Sequence, residues 1–172
     1  LFRSINPKSN MKLGNGFAPV EKFLAAGLNV CIGTDGCGSN NSQNMFQEMN
    51  TAALVYKGAG KKARCFDAVD VIRAATEGGA KAIGMEGKLG VIKEGALADI
   101  IILDLYEPQF FPTNNIISSL VYSAKGSEVD TVFINGRMVM DERHILTMNT
   151  GRVFSECEQI AVRLGMIKNQ EQ

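Results

Sequence analysis

The chain has 172 residues, of which 45% are apolar and 21% are charged, values typical of a globular protein. This length suits one ordinary domain, or one small domain together with part of another. Lysine plus arginine equal aspartate plus glutamate at 18 each, which excludes a broad basic footprint for nucleic acid or anionic lipid. No apolar run approaches the roughly 20 residues that cross a bilayer. We therefore expect a small-molecule partner and neither nucleic acid nor a membrane.

The first predicted helix is followed directly by a short strand. Pro19 suits the first turn of a helix, apolar residues follow it at helical spacing, and Gly27 is typical of a helix end. Residues 28–33 are a short apolar run bounded by turn signals. This pattern predicts a buried strand that ends just before Asp35.

Asp35 is predicted to lie at the carboxyl end of a buried strand, which is where the catalytic residues of barrel enzymes lie. Gly33 and Gly36 flank it and predict a sharp turn that another group can approach closely. Two interpretations are open from these residues. Asp35 is a metal ligand and proton carrier, or Thr34, Asp35 and Gly36 form an Asx turn that simply closes the strand.

A polar loop and a long helix are predicted after Asp35. The loop covers residues 38–42, and either Asn41 or Ser42 is a suitable cap for the next helix. We expect that helix to end near Gly58 and Gly60. Its apolar stripe has three- and four-residue steps and consists of Met45, Phe46, Met49, Ala52, Ala53 and Val55.

The segment 66–75 repeats the helical pattern with Val69 and Ile72. We expect Gly78 and Gly79 to interrupt this helix before a last short turn through residue 83. Helix, strand, loop and helix in this order form one unit of an α/β fold.

After about residue 86 the pattern changes to short strands and turns. Gly90 and Gly95 predict a tight corner before the continuous apolar run 100–103, which predicts a buried strand. Asn135-Gly136 between two apolar segments predicts a hairpin with a type I′ turn. These elements predict a small β-sandwich or partial barrel beside the α/β part.

A closing amphipathic helix is predicted to begin at Asn149 or Thr150. The chain is thus divided into an α/β part at 1–86, a β domain at 87–148 and a carboxyl-terminal helix at 149–172. The apolar face of that helix consists of Val153, Cys157, Ile160 and Leu164.

The four cysteines have no paired spacing, which predicts reduced thiols in a cytoplasmic protein. Cys31 and Cys37 lie on either side of Asp35, so a zinc site that uses both is an alternative. No second Cys or His pair accompanies them, as a thiolate zinc site would require.

Several ordered motifs together resemble the carboxyl-terminal third of the amidohydrolase superfamily, within it the branch of 5-methylthioadenosine/S-adenosylhomocysteine deaminases and related chlorohydrolases. Nearly the whole chain takes part in the resemblance. The motifs are residues 6–16, Gly33-Thr34-Asp35-Gly36, Ser39-Asn40-Asn41, Met45-Phe46-Gln47-Glu48-Met49, Gly90-x4-Gly95-x2-Ala98-Asp99, residues 120–124 and residues 132–137.

The resemblance implies the last αβ units of a metal-dependent (β/α)8 TIM barrel and a composite β domain. It implies one divalent metal, usually zinc, held by histidines of earlier strands and by the aspartate that ends the eighth strand, which Asp35 matches. Asp35 would then be ligand, base and proton shuttle while metal-activated water deaminates an adenosine-type nucleoside and releases ammonia. The alternatives are a chlorohydrolase, a guanine deaminase or another cyclic-amide amidohydrolase. An alternative of another class is a non-catalytic packing or oligomerisation module.

The sequence departs from this family in its histidines. His144 is the single histidine and lies in the β region, Ile5 stands where relatives often have histidine, and residues 1–4 predict no barrel strand. A catalytic zinc needs three protein ligands plus water. We therefore expect this chain to be an inactive fragment. The amino-terminal two thirds of the enzyme would lie on another chain or outside this sequence, or the segment would be joined abnormally.

Other polar residues have weaker signals. Ser9 and Asn10 are expected to begin a loop at the pocket mouth and Ser39 follows the Asp35 turn, so all three either bind substrate or satisfy local backbone groups. Lys12 is a candidate for contacting a substrate carboxylate, or is simply solvated. Glu48 is expected to pair on its own helix. Unpaired strand edges predict a homo-oligomer or aggregation.

Overall fold

The structure is a computed structural model and describes residues 1–167 of the chain. Strands β1 (Phe2–Ile5) and β2 (Asn29–Ile32) pair in parallel, with Ile5 opposite Ile32. Helices pack around this pair, as the alternating pattern predicts for an α/β fold. They are α1 (Pro7–Lys12), α2 (Val20–Ala25), α3 (Cys37–Asn40), α4 (Met45–Gly60), α5 (Ala68–Ala75) and α6 (Glu77–Ala82).

The first twelve residues differ from the expectation. Residues 2–5 form β1, although no strand was predicted there. The prediction missed this strand because only Ile5 is buried, so the segment lacks a period-two apolar pattern. Ser9 and Asn10 lie in α1 and not in a loop. Pro7 occupies the first turn of this helix, where its missing N–H costs no hydrogen bond.

The loop after Asp35 also differs. Residues 37–40 form the short helix α3, which ends at Asn41 in a left-handed conformation. The cap of α4 is Asn44, whose side chain accepts the backbone N–H of Gln47 at 3.1 Å, so neither Asn41 nor Ser42 caps it. Helix α4 ends at Gly60, in agreement with the expected end.

Gly78 does not interrupt the helical segment but lies inside α6. The break comes at Thr76, between α5 and α6. A Cβ at Gly78 would lie 2.4 Å from the carbonyl oxygen of Val30, which is far closer than atoms can approach. The glycine is therefore required for helix–strand packing against β2.

A further helix, α7 (Ile116–Tyr122), lies where only strands and turns were expected. It packs on α4 and α5, and its Val121 is fully buried in the same core. Asn50 Nδ2 donates to the carbonyl oxygens of Val121 and Tyr122, both at 3.2 Å. The core contains residues from both strands, from α2, α4, α5 and α7, and from the segment between α4 and α5: Ile5, Val20, Val30, Ile32, Met49, Ala52, Ala53, Tyr56, Cys65, Phe66, Ala68, Val71, Ala74 and Val121.

The β region is one antiparallel sheet of four strands in the order β3 (Ile100–Leu103), β4 (Val129–Ile134), β5 (Arg137–Asp141) and β6 (His144–Ile145). Asn135 and Gly136 have φ angles of 49° and 75°, as the type I′ hairpin requires. Strand β3 is not buried as expected, since Ile101 and Ile102 are 48% and 50% exposed. It is an edge strand and pairs only with β4 within the described residues.

Helix α8 (Thr150–Arg163) begins where the sequence predicts, and the Asn149 side chain accepts the Arg152 N–H at 2.9 Å. None of its residues is buried within the described chain. Residues 168–172 of the predicted 149–172 segment lie outside the described residues. Across residues 1–167, no helix is both long enough and apolar enough for a membrane crossing.

Candidate functional site at Asp35

Asp35 follows β2 closely and carries a left-handed backbone, with φ of 60°. Few non-glycine residues adopt this conformation, which clusters at functional sites. The sharp turn is therefore at Asp35 itself, whereas Gly36 has an extended backbone with φ of −80° and open space around it. Gly33 does permit a close approach, because a Cβ there would lie 2.7 Å from the Asn6 side chain.

Three donors hold the Asp35 carboxylate. Ser9 Oγ donates to Oδ2 at 2.6 Å, Ser39 Oγ donates to the same oxygen at 2.7 Å, and the Gly36 N–H donates to Oδ1 at 2.8 Å. The Ser9 hydroxyl, then the Ser39 hydroxyl and the Gly36 N–H, hold the pKa of Asp35 below its ordinary value. Asp35 is consequently ionised at neutral pH.

The geometry leaves room for one cation on Asp35. A carboxylate has about four lone-pair sites, and the three donors occupy two on Oδ2 and one on Oδ1. The side chain is exposed and makes no ion pair among the described residues. Serines from α1 and α3 both reach the carboxylate, so its contacts go beyond the closing of a turn. The remaining site on Oδ1 fits a metal ion.

Two other polar residues take different positions from those expected. Asn10 is half-buried on α1, and its carbonyl oxygen accepts the Asn15 N–H at 2.9 Å, but its side chain is not brought to Asp35. Lys12 Nζ donates to the Gly38 carbonyl oxygen at 3.2 Å and to Asn41 Oδ1. Lys12 therefore joins α1 to α3.

Glu48 does not pair on its own helix, so that expectation was wrong. It is fully buried, and its carboxylate accepts Asn40 Nδ2 at 2.7 Å and the Lys8 backbone N–H at 3.2 Å. The sequence pattern did not indicate that Glu48 is buried. A glutamate next to the apolar stripe of a helix is equally compatible with an exposed position.

Asn6 is a second residue that the sequence analysis missed. With its nitrogen turned to the backbone, the Asn6 amide donates to the carbonyl oxygens of Ile5 at 3.1 Å and Gly33 at 2.9 Å. It thus joins the carboxyl ends of β1 and β2. The sequence offered no signal for this residue, because residues 2–5 lack the apolar pattern of a strand whose end Asn6 would mark.

Asp35 has no companion metal-ligating cluster in the described part of the chain. Within residues 1–167, no group of three or more His, Cys, Asp or Glu side chains is arranged to hold a metal ion. His144 lies on β6, exposed, with Nδ1 2.8 Å from the Glu142 carbonyl oxygen. All four cysteines are free, with Cys31 buried and Cys37 exposed. A complete catalytic zinc site needs more ligands than Asp35 alone.

The sequence pattern of the amidohydrolase family matches residues 3–139, which include Asp35 and most of the chain. The chain belongs to the amidohydrolase family. This confirms the family resemblance on which the sequence analysis rests, and the family's solved structures confirm the mixed α/β fold.

Curated relatives of this amidohydrolase are named deaminases. The chain is 46% identical over 159 residues to the 5-methylthioadenosine/S-adenosylhomocysteine deaminase of Caldanaerobacter subterraneus subsp. tengcongensis, covering 92% of this chain and 37% of the relative. It is 44% identical over 157 residues to the 5'-deoxyadenosine deaminase of Methanocaldococcus jannaschii, covering 91% and 37%. The chain thus spans little more than a third of the length of these relatives.

A solved structure agrees with these relatives. The crystal structure of an adenosine deaminase from Xanthomonas campestris with bound zinc is 36% identical and superposes with a TM-score of 0.91. The match covers 95% of this chain and 37% of that protein. The described fold is therefore that of the corresponding third of an amidohydrolase.

Proposed function

We propose that the complete protein is a metal-dependent hydrolase that deaminates adenosine-type nucleosides, and that Asp35 is one of its metal ligands. The observation that carries this proposal is the ionised Asp35 carboxylate, held by two serines at the end of a parallel strand with one lone pair of Oδ1 left for a cation. Similarity to 5-methylthioadenosine/S-adenosylhomocysteine deaminase supports 5-methylthioadenosine and S-adenosylhomocysteine as the substrates. Similarity to 5'-deoxyadenosine deaminase makes 5'-deoxyadenosine a further candidate.

One divalent metal, zinc, fits the donor chemistry of Asp35, because carboxylate oxygen is among the usual zinc ligands. The Xanthomonas campestris structure with bound zinc supports the choice of metal. One carboxylate does not complete a catalytic site, so the other ligands would come from the part of the complete protein outside this chain. This chain alone is then inactive.

The metal, when bound, supplies water activated for attack at neutral pH. Asp35 takes the proton that the water loses and passes it to the exocyclic nitrogen of the purine, which leaves as ammonia while oxygen replaces it on the ring. A hydroxyl both donates and accepts, so Ser9 and Ser39 stay bonded to Oδ2 whether Asp35 is charged or protonated. In this proposal Ser9 and Ser39 hold the Asp35 carboxylate, and Asn10 remains the candidate for contact with the substrate.

We also propose that the protein is cytoplasmic and self-associates. Its four free cysteines support the first point, because thiols persist in reducing compartments. Open strand edges support self-association of this chain on its own, since β1 and β2 pair only with each other within the described residues.

Ammonia release by the complete protein tests the proposed function. We expect turnover of 5-methylthioadenosine, S-adenosylhomocysteine or 5'-deoxyadenosine, and a loss of about a thousandfold in kcat for Asp35→Asn, together with weaker zinc binding. Asp70→Asn, a half-buried carboxylate on α5, is the matched control and keeps full activity.

Two results would overturn this assignment. Chloride release from a chlorotriazine without ammonia release from any nucleoside would make the protein a chlorohydrolase. No turnover by wild type, with Asp35→Asn indistinguishable from it in zinc content, would favour the non-catalytic module.

A further inference from the structure

Glu48 lies on the far side of a closed ring of contacts that includes Asp35. On α1, Ser9 bonds to Asp35 while the adjacent Lys8 N–H bonds to Glu48 Oε2. On α3, Ser39 bonds to Asp35 while the adjacent Asn40 bonds to Glu48 Oε1. Each helix that holds Asp35 is thus itself held by Glu48, one residue away.

We propose that Glu48 is a positioning residue for Asp35. It fixes the separation of α1 and α3, which keeps the Ser9 and Ser39 hydroxyls on Oδ2 and leaves an acceptor site of Oδ1 that would hold a metal ion. The inference rests on the proposed function only in taking Asp35 as a metal ligand, and it does not depend on which nucleoside is the substrate.

A carboxylate is the side chain that this arrangement requires. Two donors approach from two separate helices, and the two oxygens of Glu48 accept one each. Burying a carboxylate costs free energy that its hydrogen bonds must offset, and an apolar residue fills a core position at lower cost. Full burial of Glu48 without an ion pair among the described residues is therefore explained better by its link to α1 and α3 than by packing.

Asn40 supports the same inference. Its Nδ2 donates to Glu48 Oε1 and to the Thr34 carbonyl oxygen, which fixes the orientation of the amide. Its Oδ1 is buried and has no donor within the described part of the chain. Leaving a buried acceptor without a donor costs free energy, so the two bonds that Nδ2 donates to Glu48 and Thr34 hold the amide in this orientation.

Gln47 offers a matched control, because it joins α4 to α1 at the surface, next to Glu48. Its Oε1 accepts Lys8 Nζ at 2.6 Å, and its side chain is exposed. Gln47→Ala therefore removes a contact between α1 and α4 without touching the buried ring.

Zinc affinity of the complete protein, measured by competition with a chromogenic chelator, tests the inference. Glu48→Gln retains the shape but offers one acceptor to two donors, and we expect zinc binding weaker by about 10- to 100-fold, as for other supporting residues of metal sites. Gln47→Ala stays within about twofold of wild type. In a Ser9→Ala/Ser39→Ala background, Glu48→Gln adds less than about twofold, because the groups through which it acts are gone.

The outcomes separate positioning from simple stabilisation. A lower Tm for Glu48→Gln with unchanged zinc affinity, or an effect of full size in the double-serine background, would overturn the inference. If Glu48→Gln does not fold, Asn40→Ala removes the α3 link together with the Thr34 bond and leaves the Lys8 N–H on Glu48. Its loss of zinc affinity must shrink to less than about twofold in a Ser39→Ala background. Wild-type protein that binds zinc but deaminates no nucleoside would refute the proposed function alone, whereas wild type that binds no zinc would refute both.

Discussion

Each of the two regions of this amidohydrolase chain buries one glutamate completely, and their partners differ. Glu48, in the α/β region, joins two helices that meet at Asp35. Glu128, just before β4, accepts the N–H groups of Lys125 at 3.1 Å and Gly126 at 2.7 Å and the Gln109 amide at 2.7 Å. The comparison teaches that burial alone does not identify a functional carboxylate, since the donors to Glu128 lie at residues 109, 125 and 126 and none of them bonds to Asp35.

The variant Glu128→Gln separates the roles of the two buried glutamates most clearly. A neutral amide keeps one acceptor for three donors, so we expect the free energy of unfolding to fall by about 2–3 kcal/mol. Zinc affinity stays at the wild-type value, because none of these donors contacts Asp35 or the helices that hold it. Urea denaturation and chelator competition on the complete protein measure the two effects. A change in zinc affinity as large as that of Glu48→Gln would contradict the distinction between the two glutamates.

The two regions also differ in how deeply their helices are buried. Val71 on α5 is fully buried, and we expect Val71→Ala to cost about 2 kcal/mol through lost burial and the cavity left behind. Val153 lies on α8, where no residue is buried within the described chain, and Val153→Ala should cost less than about 0.5 kcal/mol. Urea denaturation of both variants measures the contrast. Equal losses would show that α8 is packed in the complete protein.

The smallest expected effect is a pH dependence that comes from Glu128. Burial alone would raise the pKa of this carboxyl, but hydrogen bonds from its own N–H, the Gln109 amide and the N–H groups of Lys125 and Gly126 outweigh burial and hold the pKa below its ordinary value. A lowered pKa gives stability that is complete above the unfolded-state pKa of about 4.3 and is lost as pH falls through the folded-state pKa.

Thermal unfolding between about pH 3 and pH 6 checks this sign. Wild type should lose stability toward acid more steeply than Glu128→Gln, which has no carboxyl to protonate at this position. Parallel curves for the two proteins would show that another group controls the acid transition.

The sequence predicts elements whose signals are local. Asn135-Gly136 predicts the β4–β5 hairpin because positive φ angles are a property of those two residues. The apolar stripe predicts α4 because a sixteen-residue helix repeats its period several times. Both predictions are confirmed without any knowledge of what the elements pack against.

The sequence fails where a partner decides the outcome. Strand β1 has a single buried residue and exists through its pairing with β2, which no local pattern of Phe2–Ile5 shows. Helix α8 has the predicted apolar face, but Val153 and Ile160 on that face are 39% and 44% exposed, because periodicity identifies a face and not its partner.

The candidate site was predictable in part. Asp35 was identified because it follows a strand. Ser9 was expected in a loop at the pocket mouth and Ser39 directly after the Asp35 turn. Their actual role, holding Oδ2 of Asp35, depends on contacts across 26 residues for Ser9. Glu48 was misjudged for the same reason, since its contact to Lys8 spans 40 residues.

The central claim is that Asp35 binds the catalytic metal through Oδ1. Anomalous diffraction at the zinc edge from crystals of the complete, zinc-loaded protein tests it directly. We predict a zinc peak about 2.0–2.2 Å from Asp35 Oδ1, with Ser9 and Ser39 still bonded to Oδ2. A zinc ion bound elsewhere, with Asp35 contacting only Ser9, Ser39 and Gly36, would contradict the account.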